Sequence, residues 1–152
     1  MHKQFILLFS IFFSISVLMA TTDMQQAQQM GKIKQEEVNL NVFQNLEVLK
    51  MAVEELSKGT PQKIDKYTTL VDVTSKDLTL IYIYEIKTGG KSDEAVRKED
   101  HERMRNAVTN GVCRSSKRFL ESGISLSYLY NSAVSKEKLF QFNISQKDCP
   151  AF

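Results

Sequence analysis

The chain has 152 residues, and its charged fraction of 25% and apolar fraction of 42% are typical of a globular protein, which excludes an intrinsically disordered chain. This length suits one domain rather than two. The formal net charge is only +2 and no basic stripe stands free of acidic neighbours, so no nucleic-acid partner is expected, because such binding depends on neutralising phosphates.

Residues 1–20 have the pattern of a signal peptide. A short basic start precedes an almost wholly apolar run over 5–19, and Ala20 separates that run from polar sequence. The run is shorter than the about 20 residues that a membrane span needs, and it fits the apolar core of a leader. An uncleaved anchor is the alternative, because Leu18 stands where a small residue is usual. We expect a periplasmic or secreted mature chain that begins at Thr21 and has no stable membrane span.

A polar, glutamine-rich lead-in over 21–40 precedes the first predicted helix. Apolar residues at steps of three and four then indicate one face of an amphipathic helix over 42–58. These residues are Val42, Leu46, Leu49, Val53 and Leu56. Asn41 can cap this helix, and Gly59 ends it. We expect this helix to be the first element of a single domain that covers residues 41–152.

Two segments of alternating polarity follow and predict an antiparallel hairpin. The strands cover about 67–73 and 78–86, and the residues at 75–77 have turn chemistry. Ile81 and Ile83 make the second strand apolar on both faces, which predicts a central position in the sheet.

The second half of the chain predicts a pair of helices and two more strands. Ser92 is a good helix start, and the helix runs through a highly charged segment to a break at 110–111. A short helix ends at Gly123, and alternating segments over 124–130 and 140–144 predict strands. The expected fold class is α+β, a four-stranded antiparallel sheet with helices packed on one face and one disulfide.

The disulfide follows from cysteine usage. Cys113 and Cys149 are the only cysteines, and an even number in an exported chain favours a bridge. The bridge would tie the helical segment to the end of the last strand. Two free thiols would instead be expected in a reducing compartment.

Tyrosines recur at four positions of the predicted sheet, Tyr82, Tyr84, Tyr128 and Tyr130. An exposed row of them would form a binding surface, because tyrosine is amphipathic. Alternatively, the rings pack beneath the helices with their hydroxyls at the rim, since these positions keep the period of the buried face. The need for one buried face favours packing, and the sequence leaves both arrangements open.

The sequence contains no recognisable catalytic, cofactor-binding or metal-ligating residues. His101 is the only histidine beyond the leader and lies in a run of mixed charge, which predicts a solvated helix face. No nucleotide, metal or nucleophile motif occurs, and paired cysteines offer no thiolate. We therefore expect no cofactor and a binding protein whose partner is an unknown envelope or extracellular protein. An inhibitor or immunity-type protein, and an enzyme with an unrecognised site, are the alternatives.

The spacing of turn, sheet, capping and cysteine positions resembles that of small exported bacterial proteins, among them the quorum-sensing-regulated virulence factor family. The positions are Pro61, Asp65, Thr69, Leu70, Tyr82, Tyr84, Cys113, Gly123, Tyr128, Tyr130 and Cys149. The resemblance covers about residues 40–150. It implies an exported α+β fold and carries over no catalytic residue, since fold does not imply function.

Overall fold

Three α-helices and five strands occur in residues 40–150, the part of the chain that this computed structural model describes. The predicted signal peptide and almost all of the lead-in lie outside the described residues. The elements are α1 (40–57), β1 (Gln62–Lys63), β2 (Thr68–Lys76), β3 (Thr79–Ile86), α2 (Asp93–Ser115), α3 (Lys117–Glu121), β4 (Ser125–Ser132) and β5 (Lys138–Ile144), followed by a 3-10 helix (Gln146–Asp148).

Helix α1 buries only the middle of its predicted apolar face. Leu49 is 1% exposed and Val53 packs half-buried against the core, whereas Val42, Leu46 and Leu56 remain exposed. Periodicity therefore identifies the helix and the side that faces the core. The depth of burial depends on what lies opposite each side chain, which periodicity does not reveal.

Strands β2 and β3 form the predicted antiparallel hairpin. The chain turns at Asp77, whose φ of 50° lies in the left-handed region that Asp tolerates better than most residues. A bulge between Leu70 and Asp72 interrupts the register of β2. The two-residue strand β1, which the sequence did not predict, pairs with β2 on its outer side.

Strand β4 pairs with β3 in parallel, so the prediction of a four-stranded antiparallel sheet was wrong in both strand number and pairing. The sheet is mixed, with five strands in the order β1-β2-β3-β4-β5, and its other pairs are antiparallel. Because α2 and α3 connect β3 to β4, the chain crosses over and enters the sheet again in the same direction. Alternating polarity indicates a strand but not its direction, so the sequence could not show that β3 and β4 are parallel.

Helix α2 begins at the predicted residue and continues beyond the predicted break. The Ala95 amide donates to the Ser92 hydroxyl over 3.2 Å, which caps the first turn. The helix then passes through Gly111 to Ser115. A glycine inside a helix costs only about 1 kcal/mol relative to alanine, and the burial of Val112, 2% exposed, offsets this cost.

The helices pack on one face of the sheet, as predicted, and the core lies between the two layers. Leu49 of α1, Val112 of α2 and Leu120 of α3 belong to the same buried cluster as sheet residues such as Leu80 and Leu126. Among the helices of the described residues, none combines the length and the apolarity needed to cross a bilayer.

The predicted disulfide joins Cys113, near the end of α2, to Cys149, just after the 3-10 helix. The two Cα atoms are 5.6 Å apart. The bridge fixes the last turn of α2 next to the segment that follows β5.

Candidate functional site

The four tyrosines of the predicted surface form one stacked row. The parallel register places Tyr82 beside Tyr128 and Tyr84 beside Tyr130. Ring centroids are 5.1 Å apart for Tyr82–Tyr128, 6.1 Å for Tyr84–Tyr128 and 5.0 Å for Tyr84–Tyr130. Stacking at these separations adds to the stability of the sheet. The row exists because β3 and β4 are parallel, which the sequence did not predict.

The tyrosine row lies on the face that carries the core. Tyr130 is 8% exposed, and Tyr82, Tyr84 and Tyr128 are half-buried against the core. Burial raises the pKa of Tyr84 to about 12 and also raises the pKa of Tyr82 and Tyr128, which agrees with rings that are packed against the core. The rings therefore take the packed arrangement, and a binding role for their remaining exposed surface stays a prediction.

Helix α2 runs alongside the edge strand β5 in the same direction. Near the start of both elements, side-chain hydrogen bonds connect the helix to the strand. Arg97 donates from Nε to the Lys138 carbonyl over 3.0 Å and from Nη2 to the Glu137 carboxylate over 3.1 Å. Further along α2, the ring of His101 lies against Phe142, with centroids 5.4 Å apart.

Beyond His101 the two elements enclose a polar cleft of about 400 Å³. This α2–β5 cleft is lined on the helix side by His101, Arg105 and Thr109, and on the strand side by Gln141, Phe142 and Asn143. Its size is at the lower end of the range for small-ligand sites. The Arg97 contacts lie at one end of the cleft and the disulfide at the other, so both ends are fixed.

The α2–β5 cleft is rich in hydrogen-bond donors. Its carboxylate, that of Asp148, accepts from the Ser145 hydroxyl over 2.7 Å and from the Ser145 amide over 2.8 Å. These two bonds, with a smaller Coulombic contribution from Arg105, lower the pKa of Asp148. The guanidinium of Arg105 makes no hydrogen bond to another residue within 40–150 and keeps its donors available.

His101 lies on a helix face that is partly solvated, as 44% of its side chain is exposed, and partly packed against the sheet. Its ring is tilted against Phe140 and Phe142, and its Nδ1 atom lies 3.1 Å from the Glu102 carboxylate. Arg97, one of its charged neighbours, lies four residues earlier on the same side of the helix and also contacts β5. The signal in the sequence was the four-residue spacing of His101 and Arg105, which places both side chains on one stripe.

Nothing in the described part of the chain forms a metal site, since no three His, Cys, Asp or Glu side chains of these residues come close enough together to hold an ion. The α2–β5 cleft has Thr109 as its hydroxyl-bearing helix residue and His101 as its imidazole. Its other polar groups are mainly amides, which recognise ligands through hydrogen bonds and do not transfer protons. The arrangement suits binding.

Helix α1 is apolar on the side that faces away from the core as well. Within 40–150, seven of the ten exposed large apolar side chains belong to α1. Leu40, Phe43 and Met51 are 55%, 60% and 65% exposed, and at about 100° per residue they lie within an arc of about 80°. Glu47 and Glu54 fall in the same arc. We call these five residues the outer stripe of α1.

The fold is that of a small α+β domain with one disulfide. The chain belongs to the family described as Domain of unknown function (DUF8479), whose sequence profile matches residues 44–140. No curated protein matches the sequence.

Three solved structures share the fold at low sequence identity. A candidate secreted protein of Pseudomonas aeruginosa has a TM-score of 0.65 and 19% identity, with 73% of this chain and 97% of that chain covered. The pilotin EpsS of the Vibrio vulnificus type 2 secretion system has a TM-score of 0.62 and 10% identity, with 75% and 99% covered. The pilotin AspS of the Vibrio cholerae type II secretion system has a TM-score of 0.58 and 14% identity, with 74% and 98% covered. At such identities the likeness concerns the fold alone.

Proposed function

We propose that this protein is an exported, non-enzymatic interaction protein that binds another protein of the cell envelope or the extracellular space. The observation that carries the proposal is the outer stripe of α1. Single exposed apolar side chains are ordinary on a protein surface, whereas a contiguous set of them marks an interaction site. Three large side chains, each more than half exposed, lie on one side of this helix, with Glu47 between Phe43 and Met51.

The partner segment that fits the outer stripe is an amphipathic helix with basic residues beside its apolar face. Leu40, Phe43 and Met51 repeat on one side of α1, as the anchors of a helix–helix contact do. The carboxylates of Glu47 and Glu54 lie between and beside them. Lysine or arginine on the partner would complement these charges and would fix the register of the two helices.

Export is supported by three independent features. The first is the leader pattern of residues 1–20, and the second is the Cys113–Cys149 disulfide, which persists in oxidising compartments. The third is the fold shared with a candidate secreted protein and with secretion-system pilotins. A periplasmic or secreted location and a mature start at Thr21 are part of the proposal. Regulation by quorum sensing would follow only from the resemblance in spacing.

One observation favours the enzyme alternative, because the α2–β5 cleft contains His101, the sole histidine within 40–150. Catalysis at this imidazole would need a nucleophile or a second acid–base group at hydrogen-bond distance. The Nδ1 atom instead contacts Glu102, a neighbour on the same helix. If His101→Ala abolished the biological phenotype while partner capture stayed unchanged, the enzyme alternative would be the better account.

The proposal is tested by site-specific photo-crosslinking in the cell that exports the protein. A benzophenone amino acid replaces Phe43 or Met51 in turn, and Lys98, an exposed helical position on α2, serves as the matched control. We expect adducts to a second protein at positions 43 and 51 and none at 98. Mass spectrometry of the adduct identifies the partner segment, which should be an amphipathic helix with basic residues.

The matching substitutions separate partner binding from folding. Phe43→Ser and Met51→Ser remove exposed side chains, so the free energy of unfolding should change by less than about 0.5 kcal/mol while the adduct at the other position is lost. Equal adducts at position 98, or adducts only between two copies of this chain, would contradict the proposal.

A further inference from the structure

We propose that the α2–β5 cleft is a second binding site, which takes an extended acidic peptide segment as an additional strand beside β5. The site is separate from the outer stripe of α1 and rests on different observations. These are the free edge of β5, the spacing of the side chains on α2 and the available donors of Arg105.

Strand β5 is the outermost strand of the sheet within the described residues. An edge strand directs alternate backbone N–H and C=O groups away from the sheet, where an added strand can pair with them. One backbone group of β5 already has a partner outside the sheet, because the Lys138 carbonyl accepts a hydrogen bond from Arg97. Beyond this contact the cleft leaves room beside Gln141 and Asn143.

The side chains on α2 are spaced to meet an extended peptide. His101, Arg105 and Thr109 follow one another at four-residue intervals, which correspond to about 6 Å along a helix axis. Side chains on one face of a strand recur every two residues, or about 6.7 Å. An added strand beside β5 would therefore present one side chain to each of these helix residues in turn. A helical ligand would not match the strand edge, because its backbone groups bond to one another.

On the helix side of the cleft, Arg105 favours a carboxylate on the peptide. Within 40–150 the Arg105 guanidinium makes no hydrogen bond and acts on Asp148 through charge alone, and a guanidinium binds a carboxylate through two parallel bonds. The resident carboxylate, Asp148, is already held by the amide and the hydroxyl of Ser145. The Gln141 and Asn143 side chains already bond to Ser127 of β4, so on the strand side the backbone edge of β5 would hold the peptide.

The test uses the mature protein labelled with ¹⁵N and a defined probe, the acetylated and amidated hexapeptide Glu-Val-Glu-Val-Glu-Val. We expect its titration to shift the backbone amide signals of Gln141 to Asn143 and of Arg105, and to leave those of β1 unchanged. The same peptide with alternate backbone amides N-methylated cannot pair as a strand, and it should bind at least about tenfold more weakly. The Lys-Val-Lys-Val-Lys-Val peptide should produce no shifts in the cleft.

Two protein variants complete the test. Arg105→Gln should weaken binding of the glutamate peptide by about fivefold or more, since a charge-assisted pair is lost, while Arg114→Gln, an exposed position outside the cleft, should not. Absent shifts in β5, or equal binding of the N-methylated peptide, would overturn the proposal. The crosslinks on α1 do not involve this cleft. A negative peptide titration would therefore leave the proposed function unaffected, and negative α1 crosslinks would leave the proposal of a peptide site in the cleft unaffected.

Discussion

Replacing Cys113 and Cys149 by alanine should lower the free energy of unfolding by about 4 kcal/mol. The two cysteines are 36 residues apart in the sequence. For a loop of about this length, the chain-entropy relation gives the unfolded chain an entropy loss of about 13 cal/mol/K, or about 4 kcal/mol at 25 °C. Unfolding of a domain of about 110 residues carries an entropy of about 0.23 kcal/mol/K, so Tm should fall by roughly 15–20 °C.

Urea unfolding followed by circular dichroism compares three samples, which are the oxidised protein, the same protein after reduction, and the double alanine variant. The reduced protein and the variant should have midpoints close to each other and well below that of the oxidised protein, because both lose the same loop constraint. Cys113 is 9% exposed, so the variant should also lose a small packing contribution. The entropic reasoning would be refuted if the variant unfolded within about 1 kcal/mol of the oxidised protein.

Leu49→Ala should cost about 2–5 kcal/mol, because Leu49 is 1% exposed, whereas Leu46→Ala on the same helix, where the side chain is 42% exposed, should cost less than half as much. Urea unfolding of both variants checks this difference, and equal losses would contradict the burial of Leu49. Tyr84 should make stability depend on pH in the alkaline range. Burial raises its pKa to about 12 in the folded protein, above the value of about 10 in an unfolded chain. The folded state therefore keeps the Tyr84 hydroxyl proton up to a higher pH than the unfolded state does. The contribution of this group to the free energy of unfolding is present below pH about 10 and is lost as the pH rises towards 12. Tyr84→Phe should reduce this alkaline loss in unfolding measured across that range, and an unchanged profile would argue against burial as the cause.

Local chemistry in the sequence was sufficient to predict the elements that depend on it. The Ser92 cap is formed by a side chain and an amide three residues apart, and the turn at Asp77 lies between two alternating segments. Such features need no knowledge of the rest of the chain. The two-residue period of a strand also put Tyr82 and Tyr84 on one face of the sheet and favoured the core face for them.

The pairing and the contacts of segments that are distant in the sequence could not be predicted from local patterns. Whether β4 runs parallel to β3 depends on the crossover through α2, and the stacking of Tyr82 on Tyr128 depends on that direction. Likewise, the cleft brings together Arg105 and Asn143, which share no local pattern in the sequence. The aromatic surroundings of His101 also depend on a distant segment, because Phe140 and Phe142 belong to β5.

The disulfide and the cleft are physically linked through α2. Arg97 fixes the first part of the helix to β5, and Cys113 fixes its last turn to the segment after β5. These two contacts, one at each end of the cleft, therefore limit how far α2 can separate from β5. A covalent bond resists separation far more than a single charged hydrogen bond does. The width of the cleft at its Cys113 end thus depends on the oxidising chemistry of the compartment that the leader predicts, which joins export to the geometry of the site.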